Sequence, residues 1–239
     1  MRETNADHNK NSRFLSSLEI SQPTLAKNDD HKFVIIWPAV AVFVYLHVAA
    51  AFGLFAPKTG GTHLIQLIMT CFGAFGISVG AHQYFSHHCF KANQKLKAFL
   101  LVIYTSTCLS TVVEYVRFHR LHHKYNDTNA DPHNSARGLF FSHIAWFLVE
   151  KHPEFKKFGQ KIDLKDIFAD KLVMFQHKYF WLLGPLAGFV LPISISCYFC
   201  GESLITAWNY NCFRFLLVAH MVLATNSISH TFGYRPFDK

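Results

Sequence analysis

The chain has 239 residues, of which 51% are hydrophobic and only 16% charged, with a mean hydropathy of +0.15. That balance excludes an ordinary water-soluble domain and places the chain in a membrane. The formal charge is +8, from 23 basic and 15 acidic side chains. The basic residues lie between apolar runs and match no nucleic-acid-binding module, so the expected partner is a membrane surface or an anionic substrate and not nucleic acid.

Residues 1–32 are polar and lack the apolar stretch of a cleaved signal; they are expected to form a disordered cytosolic tail. A membrane-crossing helix needs about 20 mostly apolar residues. Residues 34–56 supply them, with one proline and no charged side chain. The turn from Pro57 to Gly61 leads into a second span at 63–81, so the two form a helical hairpin. Residues 98–113 begin apolar and then carry Thr105, Ser106, Thr107, Ser110 and Thr111. This stretch is short for a crossing and is expected as an interfacial or re-entrant helix.

A second hairpin follows, with spans at 180–199 and 206–225 joined around Gly201, although Arg214 and His220 interrupt the last. Residues 82–179 are then a helical cap on one face. Lys and Arg concentrate in cytosolic loops of membrane proteins. Residues 83–179 hold fourteen of them and the N-terminal tail five, whereas the two hairpin turns hold only Lys58. Both termini and the cap are therefore expected in the cytosol. The fold class is an all-α membrane protein with four transmembrane helices in two hairpins and a cap carrying a histidine-rich metal site. The six cysteines show no repeated spacing, and buried free thiols are expected, including the Cys197–Cys200 pair at the end of an apolar run.

Three histidine groups fall on the cytosolic side: His82 and His87; His119, His122 and His123; and His230, four residues after Asn226. On a helix, positions i, i+3 and i+4 share a face, so the second group can converge on one point. His82 and His87, five apart, need a helix end or turn to do the same. Imidazole serves iron, zinc and copper alike, and neutral imidazoles beside a membrane are costly unless bonded or metallated. A structural zinc needs four ligands and usually recruits cysteine. Six histidines and an amide exceed that and suit two metals or one open redox site; iron and zinc both stay open on this ground alone.

The remaining histidines have plainer roles. His47 and His220 lie inside spans and call for a polar partner. His63, His152 and His177 read as surface residues, His88 points away from the cluster, His133 caps the turn at Asp131–Pro132, and His143 packs in the cap.

The stretches Gly80–His87, Arg117–Lys124, Ala130–His143 and Asn226–Lys239, in that order, resemble the integral-membrane acyl-CoA desaturases, the stearoyl-CoA desaturase-like enzymes. The resemblance covers nearly everything from Phe33 onward. It implies a four-span endoplasmic reticulum protein with a cytosolic cap and two iron ions, which uses oxygen and electrons from cytochrome b5 to introduce a double bond into the acyl chain of an acyl-CoA. By motif match, His82, His87, His119, His122, His123 and His230 are iron ligands, Asn226 holds a water on one iron, and Arg117 and Lys151 contact coenzyme A. The chain departs from the family pattern in three places. The family's last histidine box lies beyond Lys239, so the domain is expected to be incomplete at its C-terminus. Phe118 stands where an acid is usual, and Glu150 where a basic residue is usual. A non-catalytic relative that binds lipid or a partner, and a hydroxylase built on the same boxes, are the alternatives.

Overall fold

The structure is a computed structural model, described here for residues 22–25 and 30–232. Among these it is helical, with two isolated bridges and no strand. Four helices are long and apolar enough to cross a membrane: α1 (Trp37–Phe55), α2 (Gly60–Ser86), α6 (Lys171–Cys200) and α7 (Leu204–Thr231). The shorter helices between α2 and α6 include α3 (Gln94–Thr105), α4 (Val112–Lys124) and α5 (Pro153–Gly159). Each of the four sequence spans overlaps one long helix, and α2 and α6 extend well past the expected ends.

The two hairpin turns lie at the same end of the bundle and are tied together. Glu202 accepts hydrogen bonds from the Thr59 N–H (3.1 Å) and the buried Thr62 hydroxyl (3.0 Å). α1 and α7 pack closely because Gly53 has no side chain; a Cβ there would lie 2.3 Å from the carbonyl carbon of Asn209. Ala49, Ala50, Cys212 and Leu216 fill the rest of that contact.

Arg214 is 2% exposed in the middle of α7, and its position has a backbone cause. Pro192 in α6 has no N–H to offer the carbonyl of Gly188 four residues earlier. Arg214 Nη2 donates to that carbonyl at 2.6 Å and Asn211 Nδ2 at 3.1 Å, while Arg214 Nε donates to Asn211 Oδ1 at 2.9 Å. A helix interrupted inside a membrane needs such replacement donors, since lipid offers none.

The stretch 98–113, expected as one helix, is instead the end of α3, a turn and the start of α4. The hydroxyls of Thr105, Ser106 and Thr107 bond the carbonyls of Leu101, Ile103 and Tyr104 at 2.6–2.7 Å, which competes with continued helix and ends α3. Cys108 then takes a positive φ of 56°. Thr111 and Glu114 form a capping box that starts α4. At twelve residues, α3 is roughly 18 Å long, well short of the roughly 30 Å hydrocarbon core. The end of α2 packs against α4.

Part of the tail expected to be disordered is attached to the cap: Thr24 N–H donates to Glu154 (2.9 Å) and its carbonyl accepts from Asn129 N–H (2.9 Å). Residues 1–21, 26–29 and 233–239 lie outside the described residues, and with them most of the expected tail. The expectation of buried thiols also needs correction. Cys212 is buried, but Cys71 and Cys89 are exposed at the bundle surface and the cap.

Candidate metal centre

The last eleven residues of α2, Gly76–Ser86, are π-helical. This winding closes backbone hydrogen bonds from i to i+5, as His87 N–H to the His82 carbonyl (3.2 Å) shows, and the Ser86 hydroxyl adds a bond to the Ala81 carbonyl (2.7 Å). Side chains five apart therefore meet. The rings of His82 and His87 lie 4.7 Å apart, which an α-helix does not provide.

α4 brings its histidines to the same place. His119 Nε2 lies 2.7 Å from His87 Nε2 and 3.0 Å from His123 Nε2. Ligand atoms of His82, His87, His119 and His123 all fall within 4.8 Å of one another. Imidazoles bound about 2.1 Å from one metal at right angles would have nitrogens about 3.0 Å apart, so the spacing is that of a shared ion. Protonation would prevent ligation, and the environment opposes it. Burial, reinforced by the neighbouring histidines, pulls His119 down to about 2, and burial followed by the same neighbours lowers His123. The donor set is all imidazole and fits a transition-metal site.

His122 does not join its two neighbours. It turns into the protein, where Nδ1 meets Asp131 Oδ1 at 2.9 Å, leaving Nε2 free to bind elsewhere. The convergence of all three α4 histidines on one point is thus corrected: His119 and His123, four apart, converge, and the carboxylate on the following loop pulls His122 away. Its ring lies 4.9 Å from that of His230 and 4.3 Å from that of His133. A carboxylate bonded to the far nitrogen of a histidine fixes its tautomer and raises its basicity as a ligand. His122, His230 and Asn226 line one cavity of about 690 Å³ together with His82, His119 and His123. The structure therefore gathers the proposed ligands at one face, as a set of four and a neighbouring pair with Asn226 beside them.

A second cavity of about 750 Å³ adjoins this face. Its wall is mostly apolar, from Pro38 and Leu46 on α1 to Phe215 and Leu223 on α7, and it shares Tyr115, His119 and Asn226 with the histidine cavity. Phe118 lines it, packed on Phe155 at 5.1 Å. Lys151 also lines it, its ammonium 4.3 Å from the centre of the Trp146 ring and donating to the Trp146 carbonyl. Burial lowers it to about 8. Arg117 is half-buried on α4 and lines neither cavity.

Several plainer histidines have more structure than their sequence positions indicated. His133 is buried against His122 and Trp146, with its Nδ1 unpartnered. The adjacent Asp131–Pro132 turn was the signal for its backbone role, and Asp131 Oδ1 does accept from the His133 N–H at 3.2 Å. His88 bonds Asp166 in the cap at 2.8 Å, beside Arg120. His63 is exposed, as expected, and bonds Tyr210 (2.7 Å); His177 is half-buried and bonds Thr111 (3.2 Å). His143 does not simply pack but bonds both His220 and Ser227.

Four helices able to span a membrane, a histidine cluster of metal-site geometry and an apolar cavity adjoining it define a multi-pass membrane protein with a candidate metal site. Its relatives are consistent with that class. The chain is 39% identical over 217 residues to a Delta(9)-fatty-acid desaturase, fat-6, of Caenorhabditis elegans, covering 89% of this chain and 64% of that protein. It is 38% identical over 211 residues to an acyl-CoA Delta(11) desaturase of Choristoneura rosaceana, covering 87% and 63%. It is likewise 38% identical over 211 residues to stearoyl-CoA desaturase 2 of Rattus norvegicus, covering 87% and 59%. No protein-family model matches. Over the matched residues the chain is homologous to the acyl-CoA desaturases, and it spans about 64% of the length of relatives such as the nematode protein.

Proposed function

We propose that this chain is the membrane and histidine-bearing part of an acyl-CoA desaturase, which introduces a double bond into a fatty acyl chain using oxygen and electrons from cytochrome b5. The observation that carries the reading is the adjacency of the two cavities. An apolar space of about 750 Å³ shares Tyr115, His119 and Asn226 with a space lined by histidines. A reaction at an unactivated carbon needs the chain held dry and presented to one redox site, and an apolar cavity beside the histidines supports that reading.

The metal is proposed to be iron, two ions in all, with His82, His87, His119 and His123 about one and His122 and His230 about the other, Asn226 acting through a water. Bound iron supplies the one-electron redox chemistry that oxygen-dependent removal of hydrogen requires. The protein's own groups orient and exclude: Asp131 holds the His122 ring, Phe118 and Trp146 pack together on the cavity wall, and Lys151 beside them is proposed to meet the anionic end of acyl-CoA. The proposed setting is the endoplasmic reticulum membrane, with both termini and the histidine face in the cytosol, in line with the basic residues of 83–179.

Product analysis tests this. Membranes containing the protein, given acyl-CoA, oxygen and reduced cytochrome b5, are expected to form an alkene. Only hydroxylated chains would make the protein a hydroxylase, and no oxygen-dependent product from a metal-loaded protein would leave a lipid-binding relative.

A further inference from the structure

On a regular α-helix, residues five apart point about 140° away from each other. His82 and His87 therefore face one place only while Gly76–Ser86 keeps its wider turns. An eleven-residue π-helical stretch is unusual, and something outside it has to hold it. Arg120, the residue after His119 on α4, is bonded to its end. Arg120 Nε donates to the carbonyl of Ser86 (3.3 Å) and Nη2 to that of Phe85 (3.2 Å), the last two residues of α2. Nη1 donates to the Asp163 carbonyl (2.8 Å), and Nη1 and Nη2 each take one oxygen of Asp166, at 2.9 and 2.7 Å. Every N–H of the guanidinium is thus engaged.

Asp166 closes the arrangement from the far side. It sits on a single helical turn, Lys165–Phe168, and also accepts from His88 Nε2 at 2.8 Å. His88 has a φ of 53°, a left-handed backbone that favours glycine, and it turns the chain immediately after His87. Such a conformation persists where its surroundings fix it. One carboxylate therefore holds both the residue after His119 and the residue after His87. Those two histidines are the pair whose Nε2 atoms lie 2.7 Å apart.

We infer that Arg120, anchored by Asp166, is the positioning residue of the four-histidine group: it fixes the π-helical end of α2 against α4 and so keeps His87 at the point shared with His82, His119 and His123. The inference rests on reading those four histidines as one metal position. Arg120 bonds none of the four, and its charge works against the role assigned to it. A cation beside a metal ion opposes binding, so removing it should tighten the metal by electrostatics alone. Removing a positioning residue should loosen it, and the two effects differ in sign. Lysine keeps the charge, but as a compact donor on a flexible stem it cannot span two carbonyls and a carboxylate.

Cobalt(II) titration of the metal-stripped full chain in lipid nanodiscs reads both affinity and the visible ligand-field spectrum. Arg120→Gln should weaken the cobalt position about tenfold or more. Its spectrum should shift toward that of His87→Ala, in which the same ligand is missing. Arg120→Lys should behave in the same way, and it carries the test where the glutamine variant does not fold. In a His87→Ala background Arg120→Gln should cost no further affinity, because the ligand it places is already gone. Unchanged or tighter cobalt binding in folded Arg120→Gln, rescue by Arg120→Lys, or full additivity with His87→Ala would each overturn the inference while leaving the metal position intact. An unmodified chain that binds no cobalt would remove the metal position and this inference together.

Discussion

His87 and His119, 32 residues apart in the sequence, place their Nε2 atoms 2.7 Å apart. The π-helical end of α2 packs against α4, and their histidines share one point. His119 is the centre of the group, because its Nε2 also lies 3.0 Å from that of His123. His119→Ala is therefore expected to lower metal affinity more than His87→Ala or His123→Ala. Changes in the outer environment of a ligand already cost about 10–100-fold, and removing this ligand should cost at least that. Metal titration of the chelator-stripped protein checks the order, and equal losses for all three variants would contradict it.

Asp131 touches no proposed metal position but holds His122, at 2.9 Å from its Nδ1. Asp131→Ala is expected to weaken metal binding about 10–100-fold at the His122 position. It should leave binding at the four-histidine group in place. A two-phase metal titration reads both, and loss of both phases together would show that the two positions are not separable as drawn.

Arg214 and Pro192 are coupled through one carbonyl. Arg214→Met leaves Gly188 with only the Asn211 donor and should destabilise the protein by about 1–3 kcal/mol. Pro192→Ala restores a backbone N–H in register with that carbonyl. The two changes together should then cost less than Arg214→Met alone, measured as a double-mutant cycle by unfolding in detergent. Additive effects would mean that Arg214 serves another purpose.

Lys151 gives the stability a sign of its own with pH. Burial lowers it to about 8 in the folded protein, against an ordinary value of 10.5. Below about 8 both states are charged and the folded state bears the full burial cost. Between about 8 and 10.5 the unfolded chain holds more protons, so stability contributed by this group rises with pH. Unfolding midpoints across that window should rise for the unmodified protein and flatten for Lys151→Met. A rise of equal size in both would assign it to other groups.

The sequence carried the four apolar runs, the basic asymmetry and the i, i+4 pairing of His119 with His123, because these signals are local. It did not carry the π-helical end of α2. The five-residue spacing of His82 and His87 called for some departure from the α-helix, but nothing in Gly76–Ser86 names which one. The separation of His122 depends on Asp131, whose nine-residue offset on a loop has no periodic signature. Arg214 and Pro192 were each visible as breaks in apolar helices, whereas their meeting at Gly188 is a tertiary fact. The His47–His220–His143 chain joins three elements with sequence separations of 173 and 77, beyond the reach of any motif.

Iron content is the most direct test of the central claim, that the histidine face is a metal centre organised about His119. The purified chain, produced with iron available, should retain iron through dialysis, at fewer than two equivalents given four imidazoles about one position and two about the other. The His87→Ala/His119→Ala/His123→Ala variant, folded by the same unfolding measurement, should retain almost none. Iron absent from the unmodified chain, or equal in the two proteins, would contradict the account.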